Sequence, residues 1–116
     1  MHLHTGQILL PLARAAIARE LGRPSEPIDQ PQWLREPGAS FITLRQGERL
    51  RGCIGSLKAH RPLGEDVEAN AVAAAFRDPR FKPLTPEELD ATRIEVSLLS
   101  ALEPLQFADE HDALSQ

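Results

Sequence analysis

Apolar positions recur at three- and four-residue steps near the start of the chain. Ile8, Leu9, Leu12, Ala13, Ala16, Ile17 and Leu21 mark one side of a helix over residues 7–21, with Gly22 as its stop. Thr5 is the N-cap this pattern suggests. Pro11 lacks the N–H that a helix interior needs, so the regular part is expected to begin only near Leu10. Residues 22–38 hold four of the ten prolines and read as a long surface connection, with Trp33 and Leu34 pinning it to the core. Residues 40–57 change to a strand pattern. Phe41 to Leu44 favour one strand, Gly47 supplies a turn, and a second strand starts near Leu50, which predicts a β-hairpin.

A helical pattern returns over residues 62–76. Pro62 suits a first-turn position, Glu65 and Asp66 complement the positive helix end, and Leu63, Val67, Ala71 and Ala74 form one stripe. The alanines make that stripe thin, so this helix should lie close against a sheet. Residues 77–91 combine a turn with a short helix, for which Thr85, Pro86 and Glu88 have capping-box spacing. Residues 92–100 alternate like a half-buried strand, and the chain then fades into loop or a short helical start. This order predicts a single α+β domain over residues 1–116, a mainly antiparallel sheet with helices packed on it.

Composition narrows the function classes. A chain of 116 residues supports one hydrophobic core, and its single cysteine excludes an internal disulfide. Low cysteine usage, no secretory leader and no apolar run near the roughly 20 residues of a membrane span fit a cytoplasmic, non-membrane protein. A formal net charge of −4 argues against broad nucleic-acid binding, although a local basic patch stays open. The sequence has no Gly-rich phosphate loop, CxxC pair or nucleophile elbow, and it specifies no cofactor. His2 and His4 are too few for a stable metal site, so none is expected.

Candidate chemistry gathers in LRGCIG, residues 50–55. Strand alternation places Leu50, Gly52 and Ile54 on one face and Arg51, Cys53 and Gly55 on the other. On the last strand, Ile94, Val96 and Leu98 oppose Arg93, Glu95 and Ser97. If the two strands are neighbours and both aliphatic rows face the core, Arg51, Cys53, Glu95 and Ser97 share an outer face. Arg51 would then favour the Cys53 thiolate, Glu95 would oppose that shift, and Gly52 and Gly55 would permit close approach by a ligand or another chain segment. His60 could serve Cys53 as a base. The simpler readings stand beside these: a small buried cysteine, glycines that allow tight packing, and a solvated loop histidine. Asn70 sits mid-helix, where it could reach the sheet and satisfy a buried backbone group. In RDPRF, Arg77 and Asp78 would tie the helix end and leave Arg80 for an anion.

LRGCIG, followed by RPLGEDVEANAVAAAFRDPRF and then PLTPEELDATRIEVSLLS, resembles the AMMECR domain family. The likeness runs from about residue 7 to the C-terminus. It implies an AMMECR-like α+β domain and draws attention to residues 50–55, Asn70, Phe76, Asp78, Pro79, Arg80, Phe81 and Glu95. It also implies Memo-type and radical-SAM proteins as partners, and a domain that continues beyond ALSQ. The chain would then be incomplete at its C-terminus, or a second chain or homo-oligomer would cover the open sheet edge. Two functions follow. In the leading one, an accessory module uses the RGCIG face to hold an anionic small molecule or a partner protein, with Arg51, Gly52, Gly55, Asn70 and Arg80 as contacts and Arg45, Lys58 and Arg61 nearby. The alternative is an enzyme with Cys53 as nucleophile and Glu95 or His60 handling protons.

Overall fold

In the computed structural model, which describes residues 5–24, 30–99 and 105–108, four strands form one antiparallel sheet. The first helix, α1, spans Thr5–Glu20 and runs through Pro11 instead of starting near Leu10. Pro11 is exposed, so its ring crowds no packed neighbour, while Leu9, Leu12, Ala13, Ala16 and Ile17 form the buried stripe. The proline-rich connection follows. Its 3₁₀ turn, Gln32–Arg35, buries Leu34 and packs Trp33 against the core, as expected.

Strand β1 spans Ala39–Gln46 and β2 spans Arg49–Gly55. Gly47, at φ +63°, opens the two-residue turn between them, a conformation that glycine adopts without steric cost. Helix α2 spans Leu63–Phe76, and α3 is the single turn Pro86–Leu89. Strand β3, Arg93–Leu99, and strand β4, Leu105–Ala108, complete the sheet in the order β2-β1-β3-β4. The expected loop or helical start after residue 100 is therefore corrected to a strand over these four residues.

One sheet face carries Ile42, Leu44, Ile94, Val96 and Leu98, all buried against α1 and α2. The alanine stripe of α2 does let helix and sheet approach closely. A Cβ on Gly52 would collide with the Ala74 carbonyl oxygen. At the other end of α2, the Asp66 carboxylate is fully buried. It accepts from the Ser40 N–H (2.8 Å), the hydroxyls of Ser40 (2.7 Å) and Ser56 (2.6 Å), Arg61 Nε (2.8 Å) and Asn70 Nδ2 (3.1 Å). Burial pushes the Asp66 carboxyl up. The Ser56 and Ser40 hydroxyls, Arg61 and the Ser40 N–H together outweigh it and hold the group below the usual carboxylate range.

Two sequence expectations about the sheet are corrected. First, β2 and β3 are not neighbours, because β1 lies between them. Second, β2 carries a bulge. Leu44 pairs with Gly52 and Arg45 with Leu50, which leaves Arg51 without an opposite number. The extra residue shifts alternation by one, so Leu50 falls beside Arg45 rather than on the face of Ile54. Arg51 turns with Gly52 toward the helices, away from Cys53.

Among the described residues, no helix is long and apolar enough to cross a membrane.

Candidate functional site

The row that holds the cysteine crosses three strands. Thr43 of β1 is opposite Cys53 on one side and Glu95 on the other. Opposed residues of an antiparallel ladder point to one face, so Cys53, Thr43 and Glu95 lie together on the side away from α1 and α2. Cys53 is half-buried, with its Sγ 3.5 Å from Thr43 Oγ1. Two strand spacings separate it from Glu95, roughly 10 Å along the sheet. The Glu95 carboxylate accepts from Arg45 Nε and Arg93 Nη2, both at 3.1 Å. His60 stands apart, exposed in the 56–62 connection with Leu57, Lys58 and Ala59.

The remaining residues of LRGCIG face structural neighbours. Gly52 meets the α2 backbone, Gly55 lies beneath the Phe41 ring, and Ile54 packs on the core. Both glycines thus admit another chain segment, the second of the two readings their sequence allowed. Asn70 donates to the Ser40 carbonyl at 3.0 Å, the backbone role expected of it. His2 and His4 lie outside the described residues. Among the described residues, no cluster of three or more His, Cys, Asp or Glu could hold a metal.

Arg51 builds a second centre. Its Nε and Nη2 donate to the two Glu88 oxygens at 2.9 and 3.0 Å, a two-point ion pair in which Arg51 is only 12% exposed. Glu88 also accepts from Gln46 Nε2 and from the Thr85 N–H, each at 3.0 Å, so the expected capping box is present. The Arg51 guanidinium, ahead of Gln46 and the Thr85 N–H, lowers the Glu88 carboxyl to about 2. Arg51 Nη1 is buried with no partner.

Asp78 forms the adjoining part. It accepts from Arg80 Nε (3.0 Å), Nη2 (2.7 Å) and N–H (3.1 Å), and from the Cys53 N–H (3.1 Å). Arg80 is the main reason its carboxyl lies well below the usual range. This corrects the expectation that Arg80 is left over for an anion, since Asp78 already shares its charge. The guanidinium carbons of Arg80 and Arg51 lie 5.3 and 5.9 Å from the centre of the Phe81 ring.

Between these two centres runs a groove of about 350 Å³, lined by Gln46, Arg49, Leu50, Arg51, Arg80, Phe81, Lys82 and Glu88. Four of its eight lining residues are cationic, in a chain whose total charge is negative. Arg49 and Lys82 are exposed, and no carboxylate among the described residues forms an ion pair with either. The sequence reading missed Arg49, Lys82 and Gln46 because they lie outside LRGCIG. It found Glu88 only as a cap. The basic residues it placed nearby are otherwise engaged, Arg45 with Glu95 and Arg61 with Asp66, while Lys58 is exposed on the far connection.

Comparison with known proteins identifies the lineage. The AMMECR1 family profile matches residues 10–115. A protein of Aeropyrum pernix is 44% identical over 106 residues, covering 86% of this chain and 46% of its own length. A protein of Methanothermobacter thermautotrophicus is 39% identical over 110 residues, covering 92% and 57%. The crystal structure of uncharacterized protein PH0010 from Pyrococcus horikoshii superposes with a TM-score of 0.74 at 40% identity, over 82% of this chain and 51% of that one. The chain therefore spans about half the length of these relatives, and its α+β fold matches that of the Pyrococcus protein over the shared half. This chain belongs to the AMMECR1 family.

Proposed function

We propose that this chain is a non-catalytic binding module that holds an anionic group in the groove beside Arg51. The observation that carries this reading is the cationic lining itself: Arg49, Arg51, Arg80 and Lys82 around one concavity, only two of them answered by Glu88 and Asp78. Guanidinium forks suit carboxylate and phosphate oxygens, and the Arg51–Glu88 pair holds one such fork in a fixed orientation. The groove thus replaces the outer RGCIG face as the site, with Arg51 common to both. Its accessory role beside Memo-type and radical-SAM proteins rests on family resemblance and would be read by co-purification with them.

The test is calorimetric titration with inorganic phosphate at low salt. Wild type should bind. The double variant Arg49→Ala, Lys82→Ala, at two exposed positions, should bind about tenfold more weakly. Cys53→Ser should bind like wild type. Absence of phosphate binding, or its loss in Cys53→Ser alone, overturns the reading.

The cysteine-enzyme alternative has weaker support. Glu95 is engaged by two arginines roughly 10 Å from Cys53, and His60 stands in solvent on another segment. Iodoacetamide at neutral pH should therefore modify native Cys53 no faster than a cysteine in a short peptide. A much faster rate would restore the alternative.

A further inference from the structure

Resting on the anion-binding reading of this same groove, we infer that its ligand is a small phosphate monoester in the dianionic form. The first reason is an unanswered donor. Arg51 gives Nε and Nη2 to Glu88, while Nη1 is buried without a partner. A buried guanidinium N–H is unfavourable until something accepts from it. A small shift of this groove-lining side chain on binding would bring it to a phosphate oxygen, which accepts with charge assistance.

The second reason is charge. Glu88 answers Arg51 and Asp78 answers Arg80, whereas Arg49 and Lys82 have no carboxylate partner among the described residues. Two unanswered positive charges match a group carrying two negative ones. A phosphate monoester carries about −1.5 to −2 at neutral pH, and a carboxylate carries one. The third reason is size. About 350 Å³ lies near the lower end of small-molecule sites, large enough for a phosphate with a modest organic body. Phe81 and Leu50 provide apolar surface for that body.

The groove also makes the charge state of the ligand readable. The charged groups facing it are Arg49, Arg51, Arg80, Lys82 and Glu88, with Asp78 behind Arg80. Arginine and lysine side chains ordinarily stay charged between pH 5 and 8. Glu88 and Asp78 are held ionised far below that interval. A change of affinity across it therefore reports protonation of the ligand, whose second dissociation falls near pH 6.

The experiment compares phenyl phosphate, benzoate and sulfate by calorimetry at pH 8 and pH 5. Phenyl phosphate should bind about tenfold more tightly than benzoate at pH 8 and weaken about tenfold at pH 5, as one charge is lost. Sulfate, doubly charged at both values, should bind equally at each. Equal affinity for benzoate and phenyl phosphate, or a flat pH response of phenyl phosphate, overturns the dianion inference and leaves anion binding standing. Failure of all three probes to bind overturns both.

Discussion

Cys53 donates its backbone N–H to Asp78 and keeps its sulfur beside the Thr43 hydroxyl, so its measurable ties are those of a strand residue. Cys53→Ser keeps the size and a hydrogen-bonding group. Its denaturation midpoint should change by no more than about 1 kcal/mol of stability. Gly52 is the less tolerant neighbour. Gly52→Ala would drive a methyl into the Ala74 carbonyl, and backbone cannot swing aside as a side chain does. A loss of about 1–3 kcal/mol is expected by urea denaturation. An unchanged midpoint would mean that α2 can move off the sheet. The role of Thr85 was legible in the sequence because a capping box depends on local spacing, and that of Asn70 because an asparagine in mid-helix is a poor helix former whose amide suits a buried backbone group elsewhere. The direction of Arg51 was not. Leu50 and Ile54 are four residues apart, a spacing consistent with unbroken alternation, and only the pairing with β1 reveals the bulge between them.

A single helical turn such as α3 has little stability of its own, because nucleation consumes more order than one hydrogen bond returns. Its neighbours hold it. Arg14 of α1 donates to the Leu89 and Thr92 carbonyls at 3.0 and 2.6 Å, and Arg51 grips Glu88. Glu88→Gln should therefore cost about 1–2 kcal/mol, since the pair is partly exposed and the cap is only partly kept. The effect has a pH signature. Glu88 ionises near 2 in the folded protein against an ordinary 4.5, so its contribution is full above pH 4.5 and is lost as pH falls toward 2. The stability gap between wild type and Glu88→Gln should shrink between those values, and a constant gap would deny the ion pair its role. At this scale the sequence was informative about α2, α3, the hairpin and β3, each marked by period or turn chemistry. Strand order was not legible, because hairpin-plus-strand patterns leave open on which side of the hairpin the third strand joins. The four residues of β4 were too few to show a period.

Across the whole molecule, charge is distributed unevenly. Arg45, Arg49, Arg51 and Arg93 fall at one end of the sheet, by the register of β1 with β2 and β3. Glu95 answers Arg45 and Arg93 and Glu88 answers Arg51, so Arg49, with Lys82 across the groove, is the positive charge left open there in a chain that carries −4. Such an end should attract anions with an affinity that falls as salt rises, which total composition alone would not suggest. The opposite end is organised by the buried Asp66. This carboxylate joins β1 through Ser40, the 56–62 connection through Ser56 and Arg61, and its own helix through Asn70, so β1 and the adjoining connection and helix, three segments in all, meet at one charge. Replacing it by Asn keeps the shape but removes the charge, and a terminal NH₂ would face donors that need an acceptor. Breaking a buried, fully bonded charge of this kind costs about 3–5 kcal/mol, a large share of the 5–15 kcal/mol that holds a typical domain together. Asp66→Asn is therefore expected to lower the urea midpoint more than Glu88→Gln or Cys53→Ser does. Arg61→Met, which removes a partner 31% exposed, should cost less, because the hydroxyls and the Ser40 N–H still satisfy the carboxylate. If Asp66→Asn instead unfolds at the wild-type urea concentration, the three segments are held by apolar packing alone and the buried charge is incidental to the fold.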